Sequence, residues 1–397
     1  MNEGEKKKSS TPKNAGTLLS ISVIVSLLIS ALSFTNLYED QESSIYDWRF
    51  RLRNDLFGEP HQLPNISTID IDDLALQTYG WPLTRDWHGR LVDTIHRYGA
   101  SMIGFDIFFY EPSSQALSPH DIDALEKDTI SKSELLSLIV DYDRELLVST
   151  ENTGIVYLAH TFEVVGDTIS NAHEFAKNNL RDRSPEKEAS IQLLERFSVP
   201  VPPQADLDGF IHTTDIEIPL TNLVKASKGL GFALPKPDHD GIVRHYRLAL
   251  VYDGRIYIAL GLIMACDYLK VPLENIVFKP GEYIELPNAS LPNGQTGNIR
   301  IPVTDNCEML VNWAGEYHAT YQHMPFNLIL DFADVNPQNK ALKVAKRVAQ
   351  MSPESMEDPE LFLKKIRAEG APDLSDDALL DLAGRVYAGV PAPSNLE

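Results

Sequence analysis

The sequence predicts an α/β protein: a mixed sheet with a parallel βαβ core and flanking helices, preceded by one N-terminal transmembrane helix. Two short apolar runs, Ile66–Ile71 and Met102–Phe109, have the length and composition of strands. Between them, apolar residues recur at helical spacing, and Gly99 follows as a helix stop. Because two strands joined by one helix are typically parallel, we expect these two runs to be neighbours in one sheet.

The first 38 residues predict a membrane anchor. Residues 1–14 are polar and contain four lysines, and residues 15–38 carry no charged side chain. An apolar stretch of about 20 residues crosses a bilayer as a helix. The alternative is a cleaved signal peptide, but this run is longer than the apolar part of such a peptide and no small-residue cleavage site follows it. Since Glu39 and Asp40 follow the run, the positive-inside rule places the N-terminus in the cytoplasm and the main domain outside the inner membrane, in the periplasm.

Composition and motifs argue against several function classes. A formal net charge of −22 argues against a nucleic-acid binder, which needs a basic face. The two cysteines, Cys266 and Cys307, have no metal-binding spacing, and both a disulfide and two free core thiols stay open. We find no nucleophile elbow, phosphate loop or spaced metal-binding set of histidines, and predict no catalytic residue, metal or cofactor. The histidines that lack metal-binding spacing are His88, His96, His160, His212 and His239.

Carboxylates lie at the ends of both predicted strands. Asp70, Asp72 and Asp73 end the first run, and Asp106 lies in the second. The carboxyl ends of strands are where open α/β sheets bind ligands, so these groups predict a ligand or metal pocket. The alternative is structural: Asp72 caps the following helix, and Asp106 pairs with Arg85.

The segment from Trp81 to Arg85, Trp-Pro-Leu-Thr-Arg, is the second candidate. Thr84 suits the N-cap of a helix. An aromatic ring beside a proline turn and an arginine is able to recognise small acids or sugars, or to lock a loop onto the core. The candidate ligand-binding residues are therefore Asp72, Trp81, Arg85 and Asp106.

Two further segments favour structural roles. Asp238-His-Asp-Gly241 contains part of a calcium loop, but the distal glutamate is missing, so it predicts a tight turn between strands. Residues 171–197 are charged and helical in composition, as in a surface insertion that decorates the sheet.

The segment after the apolar run predicts a helix that leaves the membrane. Its sequence from Asp47 is Asp-Trp-Arg-Phe-Arg-Leu-Arg, and Leu37, Ile45, Trp48 and Leu52 share one helical face. Its arginines are expected either to bind lipid headgroups or to pair with Glu39, Asp40 and Asp47.

Taken together, these blocks resemble a known family. The sequence from Asp47 to Arg53, Ile69-Asp-Ile-Asp-Asp73, Trp-Pro-Leu-Thr-Arg85 and Ile103-Gly-Phe-Asp106 is similar to the CHASE2 domain. Later blocks extend the likeness over roughly Tyr46 to Leu330: Asp143–Leu147, Ile155–His160, Gly229–Phe232, Asp238–Arg247 and Met309–Gly315. The resemblance implies an extracytoplasmic sensory domain of bacterial membrane receptors.

The implied organisation has four parts: a cytoplasmic tail (1–14), a transmembrane helix (15–38), a CHASE2-like sensory domain (39–330) and a helical insertion or C-terminal extension (331–397). In the last part, residues 339–350, 358–370 and 375–384 predict three short amphipathic helices. The family's further membrane spans and output module are not recognisable after Leu330.

The resemblance predicts signal transduction rather than enzyme activity. An unknown small-molecule or environmental signal would be detected outside the membrane, and Asp47, Arg49 and Arg51 would transmit it to a cytoplasmic output module in the same or a partner chain. A homodimer is an open alternative for the assembly. The other hypotheses are a membrane-anchored envelope scaffold or interaction protein and, less favoured, a metal-dependent extracytoplasmic hydrolase.

Overall fold

The computed structural model describes residues 15–32, 36–58, 65–113, 116–117, 139–165, 171–181, 183–202, 207, 209–238, 240–313, 315, 321–335, 344–345, 348, 358–369, 375 and 379. The chain divides into two compact units. The smaller comprises residues 1–67 and 312–322, and the larger comprises residues 68–311 and 323–397.

The helices of the described residues are α1 (Ala15–Leu32), α2 (Asn36–Phe57), α3 (Asp73–Tyr79), α4 (Arg85–Arg97), α5 (Tyr142–Thr153), α6 (Ala172–Asn178), α7 (Pro185–Leu194), α8 (Thr221–Ala226), α9 (Leu260–Tyr268), α10 (Phe326–Val335) and α11 (Pro359–Ala368). Short 3₁₀ turns occupy Glu195–Phe197 and Leu273–Asn275.

The strands are β1 (Ser67–Asp70), β2 (Ile103–Phe105), β3 (Ala116–Leu117), β4 (Ile139–Val140), β5 (Val156–Val164), β6 (Ser198–Pro200), β7 (Ile211–Glu217), β8 (Gly229–Phe232), β9 (His245–Arg247), β10 (Ala249–Tyr252), β11 (Arg255–Ile258), β12 (Val277–Lys279), β13 (Tyr283–Ser290), β14 (Thr296–Pro302), β15 (Glu308–Leu310) and β16 (Gln322–Pro325).

In the smaller unit, two helices follow one another. The apolar α1 leads into α2, which contains the predicted helix after residue 47. The predicted face of α2 is exposed at Ile45, Trp48 and Leu52. Among the described residues, no helix is both long and apolar enough to cross a bilayer. The predicted span, residues 15–38, includes residues 33–35, which lie outside the described part of the chain. The span therefore stays a prediction.

The larger unit is built on a mixed sheet with the strand order β2-β5-β7-β10-β11-β6, and β8 also pairs with β5. Parallel pairs join β2 to β5, β5 to β8 and β7 to β10. Antiparallel pairs join β5 to β7, β10 to β11 and β11 to β6. The strands β5, β8, β10 and β11 are almost continuously buried, which is typical of sheet strands covered on both faces. The predicted mixed sheet with parallel pairs is confirmed.

The predicted pairing of the first two strands is wrong. β1 pairs with β16, and β2 pairs with β5, with Ile103 opposite Val156. Two helices, α3 and α4, separate β1 from β2, instead of the one expected. The parallel neighbour of β2 arrives through α5, and the partner of β1 lies about 250 residues further along the chain. A local apolar pattern indicates that a strand forms but does not determine its partner.

A second, smaller core lies beside the sheet region. It joins α3, α4 and α10 through buried apolar side chains: Ala75, Leu83, Leu91, Phe326, Ile329 and Leu330. Phe326 is fully buried and meets the rings of Tyr79 and His88. The segment from residue 72 to residue 97 is thus held by packing against a helix from late in the chain.

The structure also tests the predictions for the two cysteines and the C-terminal helices. Cys266 and Cys307 are both buried and free, and burial raises the pKa of each thiol to about 12. The middle C-terminal helix is confirmed as α11, with Asp358 accepting hydrogen bonds from the N–H groups of its first turn. Most of 339–350 and 375–384 lies outside the described residues.

Candidate functional site

The three aspartates at the end of β1 and directly after it have different surroundings. Asp72 is the N-cap of α3, and its carboxylate accepts a hydrogen bond from the backbone N–H of Ala75 at 2.8 Å. Asp70 lies 2.8 Å from Nδ1 of His323, and Asp73 is exposed in the first turn of α3. The capping role of Asp72, the structural alternative, is confirmed.

Arg85 is buried in a network that joins three segments. Its side chain begins α4, and its guanidinium lies 2.6 Å from a carboxylate oxygen of Asp143 in α5. It also donates to the backbone carbonyl of Glu111 and lies over the ring of Phe109 at 5.2 Å from the centroid. Asp143 in turn accepts the backbone N–H of Ser113 at 3.0 Å. Arg85 therefore ties α4 to α5 and to the loop after β2.

The expected pair between Arg85 and Asp106 is wrong. Asp106 is exposed directly after β2, where Phe105 is buried. Because successive side chains along a strand point to opposite faces, burial of Phe105 turns Asp106 toward solvent. The buried guanidinium of Arg85 instead meets Asp143, which lies on the helix that leads to the neighbouring strand.

Trp81 does not anchor its loop. Its side chain is 73% exposed, and the apolar contact of this segment with the core comes from Leu83. Thr84 occupies the N-cap position of α4, without a hydrogen bond from its side chain to the helix. Among the described residues, no hydrogen bond or ion pair joins the four candidate ligand-binding residues Asp72, Trp81, Arg85 and Asp106 to one another. Their ligand-binding role stays a prediction.

The segment that resembles part of a calcium loop is a tight turn, as predicted. The N–H of Asp238 donates to the carbonyl of Ile242 at 2.8 Å, and Gly241 has a positive φ of 82°. The buried Arg244 forms ion pairs with Asp238 at 2.9 Å and with Asp240 at 2.8 Å. These two carboxylates are therefore bound by arginine.

In the smaller unit, Arg53 makes contacts with residues far along the chain. Its guanidinium donates to the side-chain oxygen of Asn312 at 2.5 Å and to the carbonyl of Trp313 at 2.9 Å. Arg49 and Arg51 are exposed, and Asp47 is half-buried. Arg53 thus joins α2 to the segment after β15, a contact that the helical pattern of α2 did not indicate.

A cleft of about 220 Å³ lies between α6, β7 and the turn after β10. We call it the α6 cleft, and its lining consists of His173, Ala176, Lys177, Leu180, His212, Thr213, Val251, Asp253 and Gly254. The rings of His173 and His212 are 5.0 Å apart, measured between centroids. Nε2 of the buried His212 lies 3.0 Å from the carbonyl oxygen of Leu207, so this nitrogen is the donor.

The α6 cleft contains none of the four ligand-binding residues predicted from the sequence. One available signal was the i,i+4 spacing of His173 with Lys177 and of Ala176 with Leu180, which places each pair on one side of a helix. No pattern connects this helix to His212, whose position against it depends on the sheet. The lining combines hydrogen-bond donors with apolar side chains, and the described residues contain no group of three or more metal-ligating side chains.

Comparison with known families defines the class of the protein. The model of a family of extracytoplasmic sensory domains matches residues 21–349, most of the chain. That family is CHASE2, and the protein belongs to it. The comparisons with curated proteins and with solved structures give no match. The family predicted from the sequence blocks is thereby confirmed, and it is a family of sensors rather than catalysts.

Proposed function

We propose that the protein is the extracytoplasmic sensory region of a bacterial membrane-bound signal-transduction receptor. In this proposal it detects an environmental or small-molecule signal and passes it to a cytoplasmic output module in the same or a partner chain. The observation that carries the proposal is the CHASE2 match over residues 21–349. The larger unit supports it, because its buried mixed sheet is a rigid scaffold on which loops and surface helices are available for recognition.

The proposed membrane anchor is the uncharged run of residues 15–38. Four lysines precede this run and two carboxylates follow it, which favours a cytoplasmic N-terminus and a periplasmic main domain. Transmission would proceed through α2, with Asp47, Arg49 and Arg51 as the transmitting residues. A signal shifts the helix between two packings only if it binds one packing more tightly than the other. A homodimer formed along the exposed face of α2 is compatible with this mechanism.

The topology is tested by fusing alkaline phosphatase, which is active only outside the cytoplasm, after Glu397. We expect an active fusion with the full chain and an inactive one when residues 1–38 are deleted. Similar activity of the two fusions, or activity of a cytoplasmic reporter at the same position, would overturn the anchored arrangement.

Signalling is tested with the Arg49→Ala/Arg51→Ala double variant. We expect altered cyclic-nucleotide or phosphoprotein levels in the producing cells at an unchanged amount of membrane-bound protein. Lys225→Gln, a charge removal at an exposed position of α8, is the control and should leave these levels unchanged. Unaltered signalling in the double variant would favour an envelope scaffold over a receptor.

A further inference from the structure

We propose that the α6 cleft binds a small organic carboxylate that carries a short apolar group. This inference rests on the proposed sensory function, since the bound molecule would be its signal. The α6 cleft contains none of the ligand-binding residues predicted from the sequence, Asp72, Trp81, Arg85 and Asp106.

The charge balance of the cleft favours an anionic ligand. Asp253, the carboxylate in the described lining, is paired with Arg183 at 2.8 Å, and the Arg183 side chain is only 13% exposed. Lys177 has no ion pair among the described residues. With Asp253 neutralised, Lys177 leaves one positive charge in the lining, and the exposed ring of His173 adds a polar group, although the chain has a net charge of −22.

Among the described residues of β7, the nearest acidic side chain does not cancel this charge. Asp215, the nearest acidic position along β7, is held by Lys187 at 2.6 Å and by Arg181 at 3.2 Å. Burial alone would raise the pKa of Asp215, but the hydrogen bond from Lys187, the N–H of Ile216 and the neighbouring cations lower it below its ordinary value. Asp215 is thus a charged group whose partners are already in place. Since the described carboxylates Asp253 and Asp215 both have cationic partners, a free anion complements the charge of Lys177.

The shape and lining of the cleft favour a small, partly apolar molecule. The polar groups surround apolar side chains, among which Ala176 and Val251 are buried and Leu180 is half-buried. A volume of about 220 Å³ is below the roughly 300–1,000 Å³ of pockets for drug-sized ligands. The cleft therefore suits a molecule of a few carbon atoms with one charged end. A carboxylate with a short branched chain uses both the donors and the apolar surface.

Several groups that line the cleft are held in place before a ligand binds. The bond from Nε2 of His212 to the Leu207 carbonyl fixes the ring of His212, and the ring of His173 packs against it. Arg183 holds the turn at Asp253 and is itself bonded to Glu188 at 3.1 Å. Groups fixed before binding reduce the entropy lost when a ligand is ordered.

The experiment is a calorimetric titration of the full chain in detergent with isovalerate, with the neutral isovaleramide and with inorganic phosphate. We expect isovalerate to bind and isovaleramide to bind at least about tenfold more weakly, because charge-assisted hydrogen bonds are lost. Lys177→Gln and His173→Gln should each weaken isovalerate binding roughly tenfold. Lys225→Gln is the matched control and should retain the wild-type affinity. Both test residues are exposed, and thermal unfolding checks that the variants remain folded.

Three results would overturn the proposal: no heat of binding with isovalerate, equal affinity for acid and amide, or equal weakening in Lys177→Gln and Lys225→Gln. Tighter binding of phosphate than of isovalerate would also overturn it, in favour of an inorganic oxyanion. The results distinguish failure of the ligand site from failure of the proposed function. If isovalerate does not bind but the phosphatase fusion is active outside the cytoplasm, only the ligand site is rejected. If isovalerate binds but the fusion shows that the main domain is cytoplasmic, only the sensory role is rejected.

Discussion

Two regions of the larger unit differ in how their polar groups are used. Two polar side chains in the sequence blocks around α3 and α4 are bound within the protein: Asp72 caps a helix, and Arg85 is bound to Asp143 and Glu111. In the α6 cleft, Lys177 has no ion pair with any described residue, and the carboxylate of Asp253 is paired with Arg183.

The difference indicates that family motifs and ligand contacts occur at different places in this fold. Asp72 and Arg85, which belong to the blocks that make the chain recognisable, make contacts that hold this fold together. Ligand contacts are expected where polar groups are left for a partner, and such places carry no motif. Four predictions test this contrast, beginning with the largest expected effect.

His88 should make the α4 region sensitive to acid. Burial, with a further contribution from Arg85, lowers the pKa of His88 from 6.5 to about 4 in the folded protein. The folded state therefore keeps this ring neutral, and its contribution to stability is complete above pH 6.5. It is lost as the pH falls from 6.5 to about 4, because the unfolded chain binds a proton that the folded chain does not. The expected loss is about 3 kcal/mol.

The measurement is thermal or denaturant unfolding across this pH range for the wild type, His88→Gln and Lys225→Gln. The pH dependence should be flatter in His88→Gln and unchanged in Lys225→Gln, which removes an exposed charge on α8. Parallel curves for the wild type and His88→Gln would show that His88 is not the titrating group.

Arg85→Met should destabilise the fold by about 2–3 kcal/mol, because it removes a buried cation and leaves Asp143 without its partner. We reduce the usual figure for a buried pair since the Asp143 side chain is 23% exposed. Arg144→Met, at an exposed position of α5, is the matched control and should change stability by less than about 0.5 kcal/mol. If both variants unfold at the wild-type denaturant concentration, the network around Arg85 does not hold the helices together.

Asp72→Ala should cost about 1 kcal/mol, as expected for the loss of an N-cap. Asp73→Ala removes the same charge one position later, in the first turn of α3, and should cost only a few tenths of a kcal/mol. Denaturant unfolding distinguishes the two. Equal effects would mean that Asp72 acts through its charge near the helix end rather than through its bond to Ala75.

Local features of the fold could be predicted from the sequence. The strand at Ile103–Phe105, the helix that ends before Gly99 and the turn at Gly241 each depend on neighbouring residues, and each is present. The cap at Asp72 also needs only the N–H of Ala75, three positions away. Short-range spacing contains the information for such features.

Features that depend on distant residues were missed or misassigned. Arg85 binds Asp143, 58 positions away, and the helix of His173 meets β7 through His212, 39 positions away. The strand at Ser67–Asp70 finds its partner near the end of the described chain. No single-sequence pattern encodes these pairings, because they depend on which elements the sheet brings together. A sequence comparison identifies the family without locating the ligand.

The smallest expected effect on stability belongs to Trp81→Ala, and it is the most direct test of the contrast. Because this side chain is 73% exposed, its removal should change stability by less than about 0.5 kcal/mol. If ligand recognition lies in the α6 cleft, Trp81→Ala should also keep the wild-type affinity for isovalerate, whereas Lys177→Gln lowers it. The reverse result, weaker binding in Trp81→Ala and unchanged binding in Lys177→Gln, would return the ligand to the predicted set of Asp72, Trp81, Arg85 and Asp106. In that case Arg85 and Asp72 would combine structural contacts with recognition, and the family motif would mark the ligand site as well as the fold.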